Sequence, residues 1–172
     1  RSQLVKMFEK AAQHTIQCGA KSAALALDDI QRQADISRAW LVREAVRTLA
    51  AQHYRFDAYK SKKAESALKK WQLLSSDSNP KLKQALAEGI AIGAGQSLAR
   101  DLGNQPPNVC HPLWLAEQAK ALAHHYSKLK VSINSAKQAE KMGMGAFTAV
   151  SRGSSQEGCL IVFEYKGANE AP

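Results

Sequence analysis

Histidine and carboxylate side chains are the first candidates for chemistry, and their spacing in this chain does not favour a shared site. The five histidines form no HExxH or HxH arrangement. His124 and His125 are neighbours on a predicted helix, so their rings should point about 100° apart, a poor geometry for one metal ion. A metal-dependent hydrolase needs several carboxylates that converge, yet no aspartate follows Asp101. The later glutamates fall on different predicted elements: Glu117, Glu140, Glu157, Glu164 and Glu170. The sequence therefore predicts no catalytic and no metal-binding residue in this chain.

The cysteines give a similar result. Cys110 and His111 are adjacent and could be taken for a nucleophile and its base, but neighbouring residues in an extended turn point to opposite sides. A buried thiol beside a histidine that begins a helix is the favoured interpretation. Cys18, Cys110 and Cys159 are too widely spaced for a metal site, which indicates reduced thiols and a cytoplasmic protein.

Two glycine-containing runs could be mistaken for phosphate-binding loops. Gly143-Met144-Gly145 lacks the third glycine of a dinucleotide fingerprint, because Thr148 stands at that position. A helix is predicted before the run and a strand after it, the reverse of the order that the fingerprint needs. A tight helix-to-strand turn is the favoured interpretation. Residues 153–158 lie between two predicted strands and indicate a hairpin loop, with anion binding as the alternative.

A basic tract extends from Tyr54 to Trp71 in a chain whose net charge is +9. Cationic side chains interleaved with aromatic ones are typical of a nucleic-acid surface. The alternative, which we favour, is a solvated helix end and strand edge with the aromatic rings turned into the core. The candidate nucleic-acid contacts are Arg55, Lys60, Lys62, Lys63, Lys69 and Lys70.

Alternation of helical and strand patterns predicts an α/β fold, with parts of two α/β layered domains. The prolines of the Gln105-Pro106-Pro107 joint end a long helix. We expect the end of one domain at 1–78, a connecting helix at 79–104 and the incomplete start of a second domain at 105–172. The predicted helices are 3–18, one capped by Ser37 or Asp35, 80–102, 113–127 and 136–142; the predicted strands are 22–27, 67–74, 130–133, 146–150 and 159–165.

The apolar runs of the chain are short. None approaches the roughly 20 residues that span a bilayer, so no membrane partner is expected. The run in strand 159–165 is typical of a central strand that is covered on both faces. On its own this strand should present an unpaired, aggregation-prone edge.

Several runs together resemble the leucyl (cytosol) aminopeptidase family. They follow one another in that family's order and spacing over about residues 54–167, whereas residues 1–53 fit only by pattern. The runs are 54–63 (YRFDAYKSKK), 100–108 (RDLGNQPPN), 114–119 (WLAEQA), 141–150 (KMGMGAFTAV), 152–154 (RGS) and 162–167 (VFEYKG).

The resemblance implies an amino-terminal α/β domain joined by a long helix to a catalytic domain, in an enzyme that is typically a hexamer. It implies removal of amino-terminal residues, often leucine, from peptides by two divalent ions, commonly zinc, manganese or magnesium, which activate a bridging water. The family's metal-binding lysine and carboxylates lie in segments that should follow Lys166-Gly167, a Gly-Lys-Gly run leading into Phe-Asp-Ser/Thr-Gly-Gly and a later Asn-Thr-Asp-Ala-Glu-Gly-Arg run. The resemblance therefore implies that this chain binds no metal and is inactive by itself.

Overall fold

A computed structural model describes residues 1–33, 36–63, 65–77 and 79–168, without the side chains of residues 32 and 33. Its internal contacts divide the chain into two compact units, Arg1–Asn104 (unit 1) and Gln105–Pro172 (unit 2). No helix within the described ranges is long and apolar enough to cross a membrane.

Unit 1 alternates helices with two strands. Ser37 begins the second long helix, because its hydroxyl accepts the backbone N–H of Trp40 at 3.3 Å; Asp35, the other expected cap, lies outside the described residues. A short helix at Leu27–Gln33 was not expected from the sequence. Asp28 and Asp29 lie in its first turn, where carboxylates favour a helix, rather than only closing the strand. The elements are α1 (Ser2–Gln17), β1 (Ser22–Ala26), α2 (Leu27–Gln33), α3 (Arg38–His53), β2 (Lys70–Leu74) and α4 (Pro80–Asn104).

Strands β1 and β2 pair in parallel, with Ser22 opposite Lys70 and Ala26 opposite Leu74. Alternate residues are half-buried on one face and exposed on the other, as the period of a strand requires. Leu25 and Leu73 on the half-buried face pack against the core. The buried apolar side chains of that core include Phe8, Leu27, Leu41, Val42, Ala45, Leu82 and Ala85.

Two glycines let α3 and α4 approach closely. A Cβ atom on Gly89 would lie 2.8 Å from the Arg43 carbonyl oxygen and 2.9 Å from the Val46 Cβ. One on Gly93 would lie 2.8 Å from the Ala50 Cβ. Gly95, in contrast, has open space at that position. The structure therefore shows close packing at Gly89 and Gly93 but not at Gly95.

Unit 2 contains shorter elements and a two-stranded antiparallel sheet. Pro112 is the first residue of α5 (Pro112–His125). Proline suits this position because the backbone N–H groups of a first helical turn have no partner within the helix, so its missing N–H costs nothing. Strand β3 (Leu129–Ser135) pairs with β4 (Cys159–Tyr165), with Leu129 opposite Tyr165. Between them lie α6 (Ala136–Lys141) and α7 (Gly145–Ser151).

The predicted strand at 146–150 is wrong, because these residues form α7. The Thr148 hydroxyl donates to the Gly145 carbonyl at 3.1 Å and its side chain is buried, so a helical turn satisfies this threonine locally. Gly143, with φ of 81°, therefore makes a helix-to-helix turn instead of a helix-to-strand turn. Residues 153–158 consequently join a helix to a strand and are not a hairpin loop.

Strand β4 also differs from a strand covered on both faces. Its first residues are half-buried, whereas Val162, Phe163 and Tyr165 are exposed. In the part of the chain that the structure describes, β3 is its only strand partner.

Candidate functional site

Two of the runs that carry the family resemblance meet in unit 1, where Tyr54 lies beside the end of α4. The Tyr54 hydroxyl donates to Asp101 Oδ1 at 2.8 Å and accepts from Asn104 Nδ2 at 3.1 Å. The Arg100 guanidinium lies 5.3 Å from the centre of the Tyr54 ring and donates to the Ala51 carbonyl at 3.0 Å. Partial burial raises the pKa of Tyr54. The hydrogen bond from Asn104 lowers it, whereas the Asp101 carboxylate raises it further. The phenol therefore keeps its proton and acts as the donor to Asp101.

The basic tract is exposed at all six candidate nucleic-acid contacts. Lys69 Nζ lies 3.8 Å from the Glu65 carboxylate, and Lys70 is the first residue of β2. The aromatic residues of the tract differ in exposure. Trp71 is half-buried, whereas Tyr59 is 60% exposed, and the centres of the Tyr59 and Phe56 rings lie 5.9 Å apart. The expectation that the aromatic rings turn into the core therefore fails at Tyr59.

An apolar groove of about 420 Å³ lies between α3, β2 and α4, and His53 is the one ionisable side chain among its described lining residues. His53 Nε2 accepts the Trp71 indole N–H at 3.3 Å, which places the histidine proton on Nδ1. Burial lowers the pKa of His53, and the positive charge of Arg55 lowers it further. The groove is thus lined by a neutral imidazole and by apolar side chains: Val46, Leu49, Ala50, Trp71, Leu73, Leu86 and Ile90.

A polar cleft of about 560 Å³ lies in unit 1 beyond the carboxyl ends of β1 and β2, the edge where parallel sheets commonly bind ligands. Asp28 follows β1 and accepts the backbone N–H of Ser76, which follows β2, at 2.7 Å. Arg38 lies 3.0 Å from the Asp28 carboxylate and donates to Gln31 at 2.6 Å. The Ser76 hydrogen bonds and then the Arg38 charge lower the pKa of Asp28. These groups pair with one another through hydrogen bonds and an ion pair, which indicates that the network has a structural role.

In unit 2, the side chains of His111 and Cys159 take structural positions. His111 Nδ1 accepts the backbone N–H of Trp114 at 3.3 Å and so caps α5, as the interpretation of a helix-starting histidine expects. Cys159 Sγ lies 3.4 Å from the Pro112 carbonyl oxygen. Burial raises the pKa of the Cys159 thiol, and the charge of Glu157 raises it further. The protonated thiol of Cys159 and the capping imidazole of His111 are therefore poorly suited to nucleophilic catalysis.

A small polar pocket of about 210 Å³ is formed by α6, α7 and residues 154–158. Arg152 on its rim lies 3.0 Å from the Glu140 carboxylate, which offsets the charge that an anion would need. Within the described ranges, no three His, Cys, Asp or Glu side chains come together where they could hold a metal ion.

Comparison with known proteins assigns the class. The amino-terminal domain of the cytosol aminopeptidase family matches residues 1–63, and the catalytic domain of the same family matches residues 97–172. The cytosol aminopeptidase of Pseudomonas aeruginosa is 47% identical over 150 residues, which cover 86% of this chain and 30% of that protein. The chain belongs to the cytosol aminopeptidase family.

Solved structures agree with the fold. A mutant of tomato leucine aminopeptidase matches with a TM-score of 0.88 and 23% identity, over 99% of this chain and 34% of the other. The bottromycin maturation enzyme BotP in complex with Mn matches with a TM-score of 0.76 and 24% identity, over 94% of this chain and 33% of the other. The family resemblance and the α/β class are confirmed, and nothing in these likenesses supports the nucleic-acid alternative. The chain spans about a third of the length of the proteins it matches.

Proposed function

We propose that this chain is part of a metal-dependent aminopeptidase that releases amino-terminal residues from peptides. The observation that supports this most directly is the match to both domains of one family, in that family's order, at residues 1–63 and 97–172. In this proposal, residues 1–78 belong to the amino-terminal α/β domain, 79–104 form the connecting helix, and 105–172 begin the catalytic domain. Peptides with an amino-terminal leucine are the proposed substrates.

Two divalent ions, Mn, Zn or Mg, are the proposed cofactors, and the Mn-bound state of BotP supports this choice. The described residues of this chain do not fit such a site, because no three potential ligands lie together among them. We therefore assign the ions to residues of a longer polypeptide and derive no catalytic step from the present ones. It follows that the 172-residue chain should be inactive alone.

The setting of the proposed enzyme is the cytoplasm, in line with the name of its Pseudomonas relative. A homo-oligomer, a hexamer by resemblance, is the proposed assembly. Sedimentation of a polypeptide of the relatives' length tests this proposal, and a monomer at micromolar concentration would contradict it.

The activity is tested by comparing two polypeptides on a leucine anilide with added Mn²⁺. A polypeptide of the relatives' length that contains these residues should release the aniline, lose activity with a chelator and recover it when Mn²⁺ is restored. The 172-residue chain should give only the background rate. Chelator-sensitive turnover by the short chain would refute the assignment of the metal site, whereas no turnover by the long one would refute the aminopeptidase proposal.

A further inference from the structure

Helix α4 is packed into the core of unit 1 only along its first half. Its buried residues are Leu82, Ala85, Gly89 and Gly93. From residue 94 to Asn104 the helix is exposed or half-buried at every position. Apolar packing therefore stops well before the helix ends.

The end of α4 is also where helical structure is intrinsically weakest. The last carbonyls of a helix have no partner within it, and such ends fray readily. Pro106 adds to this weakness, because a proline disfavours helical geometry at the residue before it. Even so, α4 continues to Asn104, close to the prolines of the joint.

Polar contacts replace apolar packing at this end. Arg100, Asp101 and Asn104 lie on the last turns of α4, and each of them contacts Tyr54 through a hydrogen bond or over its ring. Arg100 also binds the Ala51 carbonyl, within the last turn of α3. The hydrogen bond from Tyr54 has a charged acceptor, the Asp101 carboxylate, and charge-assisted hydrogen bonds are stronger than neutral ones and oppose local fraying.

We propose that Tyr54, Arg100, Asp101 and Asn104 form a clamp that keeps α4 helical to Asn104 and couples the end of α4 to the loop after α3. The clamp also makes the start of the basic tract and the end of α4 one cooperative element. Local opening of one segment should therefore increase local opening of the other. This coupling does not depend on the proposed enzymatic activity.

Amide hydrogen exchange of the 172-residue chain, followed by mass spectrometry, tests the clamp. Tyr54→Phe removes the hydroxyl and keeps the ring, so exchange of amides 97–104 should accelerate about tenfold. Amides 82–93, held by the apolar core, should exchange as before. Tyr126→Phe is the matched control, because it makes the same chemical change at a 58% exposed side chain in unit 2.

Coupling is reciprocal, which gives a second readout. Asn104→Ala should accelerate exchange of amides 54–57, although the substitution lies on another element. The combination with Tyr54→Phe should be non-additive, because both changes break one network. Equal acceleration throughout unit 1 would overturn the clamp in favour of a general loss of stability. Unchanged exchange at 97–104 in Tyr54→Phe, or at 54–57 in Asn104→Ala, would overturn it directly.

Discussion

Unit 1 and unit 2 bury very different side chains. Phe8, Leu27 and Leu41 are almost completely buried in unit 1 and belong to a core shared by helices and a sheet. In the described part of unit 2, the buried apolar residues are Ala116, Ala119 and Ala139. A fully buried Leu or Phe contributes about 1.5–3 kcal/mol, and alanine contributes much less. The difference teaches that unit 1 has a core of large apolar side chains, whereas the described part of unit 2 buries only small ones completely.

Several large apolar side chains of unit 2 lie at its surface instead. Val150 is 88% exposed and Tyr165 is 68% exposed, and Phe147, Val162 and Phe163 are partly exposed as well. Exposed apolar groups next to an unpaired strand edge promote association. We expect the 172-residue chain to self-associate through unit 2, and a clean monomer in sedimentation would contradict this expectation.

The largest effect should come from removing a core side chain of unit 1. Leu41→Ala should lower the free energy of unfolding of unit 1 by about 3 kcal/mol, because it leaves a cavity. Leu113→Ala, the same change at a 44% exposed helical position in unit 2, should cost less than about 1 kcal/mol. Urea unfolding measures both, with Trp40 and Trp71 as fluorophores for unit 1 and Trp114 for unit 2. Equal costs would remove the distinction between the units.

The close approach of α3 and α4 gives the next effect. Gly89→Ala places a methyl group 2.8 Å from a backbone oxygen that cannot move aside, so unit 1 should lose about 1–3 kcal/mol. Gly95→Ala lies on the same helix in open space and should stabilise it by about 0.5–1 kcal/mol. Thermal unfolding of the two variants should therefore shift in opposite directions. Shifts of the same sign would show that the helices do not pack at Gly89.

Two matched serine caps compare the units through a smaller change. Ser37 caps α3 in unit 1, and Ser135 caps α6 in unit 2, each accepting a backbone N–H at 3.3 Å. Replacement by alanine should cost about 1 kcal/mol in either case. Because unit 2 has less stability to lose, Ser135→Ala should cause the larger rise in amide exchange across its own unit. A larger rise from Ser37→Ala would reverse the ranking of the two units.

The smallest effect concerns the pH dependence of unit 1. The pKa of His53 is lowered in the folded state, so the unfolded chain binds the proton more readily. Stability from the neutral imidazole is therefore complete above about pH 6.5 and falls as the pH drops from that value toward the folded pKa. His53→Gln should flatten the stability curve in this range, as urea midpoints between pH 7 and pH 5 can measure. A wild-type curve that is already flat in this range would contradict a half-buried imidazole that is neutral in the folded state.

Much of the fold followed from local sequence patterns. The helices predicted at 3–18, after Ser37, at 80–102 and at 113–127 correspond to α1, α3, α4 and α5, and four predicted strands are present. The strand predicted at residues 146–150 was wrong because this segment contains an aromatic and two β-branched residues, which favour a strand by propensity. Hydrogen bonds within the turn, from Thr148 to Gly145 and from Ser151 to Thr148, favour a helix there.

The candidate site was less accessible from the sequence. Tyr54 and Asn104 are distant in the chain, so no spacing rule connects them, and only the two family-like runs indicated that both segments matter. The Trp71 to His53 hydrogen bond and the Asp28 network depend in the same way on the pairing of β1 with β2. Contacts that depend on tertiary structure need the fold before they can be identified.

The parallel pairing of β1 with β2 bears on how quickly unit 1 folds. Parallel strands cannot be joined by a tight turn, and α2, α3 and the basic tract lie between these two. Helices form within about a microsecond, whereas contacts between distant segments must first overcome the entropy of closing the intervening loop. We therefore expect β2 to dock against β1 more slowly than α3 forms, because parallel pairing must close the longer loop.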